Sequence, residues 1–449
     1  MIYSMARQII DSSIKRQKLE QAKNRRALVY KMLDYYNGDN TEQYVKDRFG
    51  AASFQEVPIS SMNITKRFVD KMSRVYTLGA NRTLQNKQDV YDDLTRIKDV
   101  KLKHFEKMTK LLGTIAVHVG MDDNIDGTKC FKYTPKYAFD VILDELDPFT
   151  PIAIKYPILL NTDDASVGNE VLQYAYYDDQ GYIIYDDNGK ELKAETHDLG
   201  VLPFVFMHKD HQQLEFHTPG AFDIINANEQ LNILFTEMNL GMRFQMFGQY
   251  TVTGMYQDEN IQRAGSDEII ILPEGANMNI LAPSVNVNDA ITLAKTMLEV
   301  TASNNHLTVS FIDPQKDRPQ SGTALQIRNL EYNEKYQDDL GLWTENEMEL
   351  YDLEKRVAAS NGISLPNELG IDFNEPKTIM TTPEEIAMNT WLLENGMTTK
   401  AKLLKQYNDD LTLEQAQTEI KENESINGTK EKQSGSIFSR VRNATPRPE

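Results

Sequence analysis

Three histidines fall within ten residues, His208, His211 and His217 in HKDHQQLEFH, and zinc binding is the first chemistry they suggest. A zinc site wants imidazoles about one helical turn apart with a third ligand close by. This run follows a strand and is polar, so a solvated loop is preferred. Asp122, Asn124, Asp126 and Gly127 match positions 1, 3, 5 and 6 of an EF-hand loop. Position 12 should be a bidentate Glu and is Tyr133, and strand-like residues flank the loop, so it reads as a hairpin turn. The acidic clusters Asp144–Glu145–Asp147 and Asp163–Asp164 are of a type that can hold a metal for phosphoryl chemistry. No phosphate-cradling Gly–Lys loop accompanies them, and surface turns account for them better. The chain contains no GxxxxGK[ST], no GxGxxG behind a strand and no GxSxG. Its single cysteine, Cys130, excludes an internal disulfide and a thiolate cluster. These residues predict no enzyme, no cofactor and no metal.

The elements that would carry such groups can be read from periodicity. Apolar residues Ile9, Ile10, Ile14, Leu19, Leu28, Val29, Met32 and Leu33 predict a helix over 1–36, with Asn37 and Gly38 as its stop. Further helices are expected over 62–79 and about 86–113, each ending on glycine. From 114 to 207 the pattern changes to alternation, with turns at DDNIDG, DDQG and DDNG, which predicts antiparallel strands ending in VLPFVFM. Ile224, Ala227, Leu231, Leu234, Phe235, Met238, Met242 and Met246 then mark a long helix from about 219 to 247. YTVTGM and EIIILPEG predict a small β insert within 248–287. A helix over 288–304 follows, with Asn288 as N-cap and Ala290, Leu293, Ala294, Met297 and Thr301 on one face. Residues 306–321 lack any period, and Pro314 and Pro319 stiffen them. A helix from about 322 to 359 comes next, with Gly341 as a possible kink, then a helical region over 382–424 opened by Thr382–Pro383. Residues 426–449 read as a disordered basic tail. The whole is α+β.

The length of 449 residues suffices for roughly three folding units. Mean hydropathy is −0.52, and no apolar run reaches the roughly 18 residues of a membrane span. The start has no apolar signal region, and a reducing cytoplasm is expected. Net charge is −19, from 67 acids and 48 bases. Residues 1–31 hold eight bases and two acids, and residues 426–449 hold five and two, which leaves 35 bases against 63 acids in residues 32–425. A body so acidic repels a phosphate backbone and is a poor tight binder of nucleic acid.

In order, the chain offers basic N-terminal helices, a β region, a helix, a small β insert, a returning helix, a loop and one very long helix. This layout resembles the portal (head-to-tail connector) proteins of tailed bacteriophages. YYNGD at 35–39, SMNITKRFVDKMSRVYTLG at 61–79, TPGAFDIINANEQLN at 218–232 and QSGTALQIRNLEY at 320–332 are similar to segments of that family. Their joint order over residues 1–360, rather than any one of them, carries the resemblance. It implies a non-enzymatic ring, usually a dodecamer, at one capsid vertex.

On that template, 1–113 are the N-terminal helical part of the wing and 114–217 its β-rich part. Residues 218–247 and 288–304 are stem helices, 248–287 the clip and 305–321 the tunnel loop. The long wing helix and its return occupy 322–379, the crown 380–425 and the tail 426–449. The implied DNA contacts are His306, Lys316 and Arg318, and the implied clip docking residues are Gln257, Asp258, Glu259 and Arg263. Implied partners are further copies of the chain, the terminase large subunit, the major capsid protein and scaffold, a head–tail adaptor and, transiently, double-stranded DNA; no membrane is implied. A soluble enzyme or adaptor with an acidic β binding domain is the alternative expectation.

Overall fold

The computed structural model describes the chain apart from residues 1, 50–58, 124–128, 161–170, 187, 214, 248, 254–274, 276, 282–285, 308–329, 375–381, 409–411 and 439–449. The chain divides into two units, Met1–Arg318 with Asn329–Pro376, and Pro319–Arg328 with Lys377–Glu449. Among the described residues it is a mixed α+β protein of 11 helices and about 53% helix. Its antiparallel sheets contain two, two, three and five strands. No described helix is long and apolar enough to cross a membrane.

In the first unit α1 (Ile2–Asn37) matches the helix expected over 1–36. It ends where Gly38 takes φ +88°, which lets the Gly38 and Asp39 N–H groups both bond to the Asp34 carbonyl at 2.8 Å. A short helix not anticipated from the sequence, α2 (Thr41–Phe49), comes next. The helix expected over 62–79 is only α3 (Thr65–Met72). It stops because the buried Glu106 carboxylate accepts from the Arg74, Val75 and Tyr76 N–H groups at 2.6, 2.9 and 3.1 Å. Those donors leave the helix ladder, and a 3-10 turn over Val75–Thr77 leads to β1 (Ala80–Thr83). The helix expected over 86–113 is likewise two, α4 (Gln88–Leu94) and α5 (Lys98–Leu112). Thr95 Oγ1 donates to the Tyr91 carbonyl at 2.7 Å and closes α4.

The β region contains β2 (Thr114–Asp123), β3 (Lys129–Lys136), β4 (Asp140–Leu143), β5 (Pro151–Leu160), β6 (Val171–Tyr177), β7 (Gly181–Tyr185), β8 (Glu191–Thr196) and β9 (Phe204–His208). Strand order is β3-β2-β9 in one sheet and β4-β5-β6-β7-β8 in the other. Two predicted turns owe their shape to aspartates. Asp178 accepts from Gln180 and Gly181 N–H, and Asp186 from Asn188 and Lys190 N–H. Phe139, Ile154, Tyr156, Ala175, Phe204, Phe206 and Phe216 form a core drawn from both sheets. The larger core joins α1, α3 and α5 to β2, β3 and the long helix α8 (Leu330–Ser360). That helix passes through Gly341 without interruption. Strand β12 (Gly370–Phe373) returns to pair with β1.

Between β9 and α8 run α6 (Phe222–Phe247), β10 (Gln249–Thr253), β11 (Asn277–Leu281) and α7 (Val287–Asn304). Strand β10 pairs with β11, from Gln249 opposite Leu281 to Thr253 opposite Asn277. The expected strand EIIILPEG lies outside the described residues apart from Gly275. The partner of β10 is the next segment, where Asn277 and Asn279 alternate with Met278 and Ile280. The N-cap of α7 is Asn286, two residues before the one expected. Its Oδ1 accepts from the Asp289 N–H at 3.5 Å, and its Nδ2 donates to the Asp289 carboxylate at 2.6 Å.

In the second unit the helical region expected over 382–424 consists of α9 (Thr382–Glu394), α10 (Lys400–Tyr407) and α11 (Leu413–Phe438). Thr399 caps α10, and Thr412 with Gln415 forms a reciprocal capping box before α11. Helix α11 covers residues 426–438, which were expected to lack structure.

Candidate functional site

Helices α6 and α7 form an antiparallel hairpin in the first unit. The β10–β11 ribbon joins one pair of ends, and at the other Asn305 Nδ2 donates to Asp223 Oδ2 at 2.7 Å. A helix of this length spans about 39 Å, and its cover changes along it. Ile224, Ile225, Ala227 and Leu231 are buried, Leu234, Phe235, Met238 and Met242 are half-buried, and Met246 is 82% exposed. On α7, Ala294, Thr301 and Ala302 are buried, but Leu293, expected on one face with Ala294 and Thr301, is 52% exposed, and Ile291 and Val300 are exposed too. The apolar stripe thus outlasts the body that covers it.

The root of α6 is held by a device that hydrophobic periodicity does not reveal. Asn228, Asn232 and Thr236 stand one helical turn apart and accept from the backbone N–H groups of Ile64, Met62 and Ser60 at 3.3, 2.8 and 3.1 Å. Asn239 Nδ2 adds a bond to Ser60 Oγ at 2.8 Å. Every second residue of an extended chain advances about as far as every fourth residue of a helix, so the two repeats stay in step. Small amides and a hydroxyl recurring every fourth position inside an apolar stripe are the sequence signal that could have found this ladder. Beside it the buried Glu229 carboxylate accepts from Lys31 and Arg48, each at 2.8 Å, and these cations hold its pKa below the usual carboxylate value against the opposing effect of burial.

The segment TPGA before α6 crosses the α5–β2 corner. Thr218 Oγ1 donates to the Gly113 carbonyl at 2.7 Å, and the Thr218 N–H donates to Thr114 Oγ1 at 2.9 Å. Gly113 has φ +86°, and a Cβ there would lie 2.0 Å from the Thr218 carbonyl oxygen; at Gly220 it would lie 2.5 Å from that of Leu111. Both positions require glycine. Two of the motifs that carry the family resemblance therefore serve to fix where α6 departs.

At the far end of α7 the chain leaves through a Schellman turn. The Leu307 N–H bonds to the Ala302 carbonyl at 2.9 Å and the His306 N–H to that of Ser303 at 3.0 Å, with His306 at φ +53°. His306 is exposed and Leu307 buried. The other expected DNA contacts, Lys316 and Arg318, lie outside the described residues, as do Gln257, Asp258, Glu259 and Arg263.

The residues considered for metal chemistry do not converge. His208 is engaged with Thr114 Oγ1 at 3.0 Å, His211 stands 4.0 Å from Glu345, and His217 lies in an aromatic setting against Phe139 and Phe216. Burial pushes His208 down to about 4 and His217 to about 3. Asp122 pairs with Lys132, and Tyr133 donates to Glu354. Asp144 and Asp147 accept from the N–H groups of their own turn, and Asp163 and Asp164 lie outside the described residues. Among the described residues no group of three His, Cys, Asp or Glu side chains is placed to hold a metal.

The densest charge cluster is buried. Lys98 contacts Glu347 at 3.2 Å and Glu354 at 2.9 Å, and Arg82 contacts Glu347 at 2.5 Å and Asp99 at 2.7 Å. Tyr76 donates to Glu347, and Tyr91 and Tyr133 donate to Glu354. The hydrogen bonds and neighbouring cations hold Glu347 ionised, lowering its pKa despite burial. Two buried cations face two buried glutamates, with the half-exposed Asp99 at the edge, and the cluster ties β1, β3, α4 and α5 to α8. In comparisons with known proteins, no family model matches the chain, and no curated protein matches it.

Proposed function

We propose that this chain is the subunit of a portal-type ring, a conduit for double-stranded DNA at one vertex of a viral capsid. The observation that carries this reading is the α6–ribbon–α7 hairpin, placed between an antiparallel β region and the 31-residue helix α8. Its root is fixed by the Asn–Thr ladder while its tip exposes the apolar stripe, as expected of a stem whose cover comes from adjacent copies. The β10–β11 ribbon has only two strands among the described residues, and open edges of that kind pair readily across a subunit boundary.

The acidic body suits this role. Each phosphate neutralised by a wall releases counterions and adds affinity, so a basic lumen would hold the duplex fast. A negative wall lets it slide, with His306, Lys316 and Arg318 as sparse transient contacts at the tunnel loop. The clip residues Gln257, Asp258, Glu259 and Arg263 would face the terminase motor during packaging and the head–tail adaptor afterwards. The N-terminal and β-rich wing parts would meet capsid protein and scaffold.

Light scattering of the purified full chain tests the reading. A subunit of 51.4 kDa closing into about twelve copies gives a particle of roughly 600 kDa. A stable monomer or dimer at every concentration would favour an enzyme or adaptor and reject the ring.

A further inference from the structure

Beside the root of the hairpin lies a cleft of about 160 Å³ lined by Met72, Arg74, Lys110, Lys209, Asp210, Asn304, Asn305, His306, Lys335 and Asp339. Four of these side chains are cations and two are carboxylates. The carboxylates are already matched: Asp339 Oδ1 contacts Lys110 at 2.7 Å and Lys335 at 3.6 Å, and Asp210 contacts Lys335 at 2.9 Å. Lys209 makes no ion pair among the described residues, although its main chain is fixed by the bond from its N–H to the Gly113 carbonyl at 2.7 Å. Burial disfavours its charged form, and Asp210 and Asp223 only partly offset this. A cation held in a cleft without a paired anion favours an anionic guest.

A second feature narrows the guest. Asp339 Oδ2 is buried and accepts no hydrogen bond. A buried acceptor left empty is costly, so the occupant should bring a donor as well as a negative charge. We infer that this cleft is a binding site for inorganic phosphate, its charge facing Lys209 and Arg74 and its remaining P–OH donating to Asp339 Oδ2. Inorganic phosphate keeps a proton at neutral and mildly alkaline pH. Sulfate has none, and a phosphomonoester loses its last one with a pKa of about 6. A nucleic-acid phosphodiester carries none either, so the guest differs from the duplex although His306 lines the cleft, and the inference does not depend on the ring.

Isothermal titration calorimetry of the full chain at about pH 8 with inorganic phosphate, sulfate and O-phosphoserine tests this. Phosphate should bind at least about tenfold more tightly than the other two, the value of one charge-assisted hydrogen bond. Asp339→Asn, whose amide can donate, should narrow the gap between phosphate and sulfate, and Lys209→Met should weaken phosphate binding. Should Lys209→Met not fold by circular dichroism, Asp339→Asn carries the test, since it leaves every cation in place. No heat with phosphate, or sulfate binding as tightly as phosphate, would overturn the assignment.

Discussion

Replacing Glu106 with alanine should be among the most damaging single changes in the first unit. Its carboxylate is fully buried and accepts three consecutive backbone N–H groups, from Arg74, Val75 and Tyr76. Alanine leaves all three without a partner. A buried donor left unsatisfied costs about 1–3 kcal/mol, so the sum is roughly 3–6 kcal/mol once some water entry is allowed. The Glu106→Gln variant is a graded control. Its oxygen can still accept, and it no longer carries a charge that burial disfavours, the reason Glu106 has a raised pKa. The remaining penalty is one N–H facing the amide NH2, about 1–3 kcal/mol. Scanning calorimetry should show Glu106→Ala melting roughly 5–10 °C lower and Glu106→Gln in between. If Glu106→Ala melted within about 1 °C of the parent, the carboxylate would not be what ends α3.

Three further outcomes follow from the same contacts. Burial holds His118 and His208 at about 4 and His217 at about 3. In the unfolded chain these imidazoles protonate near 6.5, so their stability contribution is complete above that pH and is lost on acidification towards 4, on the order of 3 kcal/mol each. Denaturant midpoints measured from pH 7 to pH 4.5 should fall steadily, and a flat profile would contradict buried neutral histidines. Asn232→Ala removes the acceptor of the Met62 N–H and should cost about 1–3 kcal/mol, with faster amide exchange over 60–64; unchanged exchange there would refute the ladder. His306 occupies a left-handed position, so His306→Val should lose about 1–2 kcal/mol while His306→Gly keeps the parent's melting temperature. Equal melting of the two variants would argue against that backbone geometry.

Elements with strong local signals were legible in the sequence: α1 with its Gly38 stop, the aspartate turns of the β region, α6, and the body of α8. The misreadings occur where a side chain, distant or local, overrides apolar periodicity. Residues 62–79 have a helical apolar pattern throughout, but Glu106, some thirty positions away, captures the N–H groups that would continue the helix. Thr95 splits α4 from α5 with its own hydroxyl, a local effect hidden by the apolar residues on either side. For α7 two neighbouring asparagines compete as caps, and Asn286, which reaches Asp289, prevails. The ladder on α6 leaves a trace only in its own repeat of Asn228, Asn232 and Thr236, because its partners are backbone groups of an extended segment without periodicity. Of the candidate site residues His306 is described, at the turn that ends α7; Lys316, Arg318 and the clip residues fall outside the described residues.

On the proposed reading many copies close around a channel, with α6 and α7 packed against their counterparts in neighbouring subunits. An electron-microscopy class average of the purified full chain viewed along its axis tests it most directly. A portal-type assembly shows a ring of about twelve repeats around an open lumen wide enough for a duplex. Isolated monomers, or particles without rotational symmetry, would contradict it.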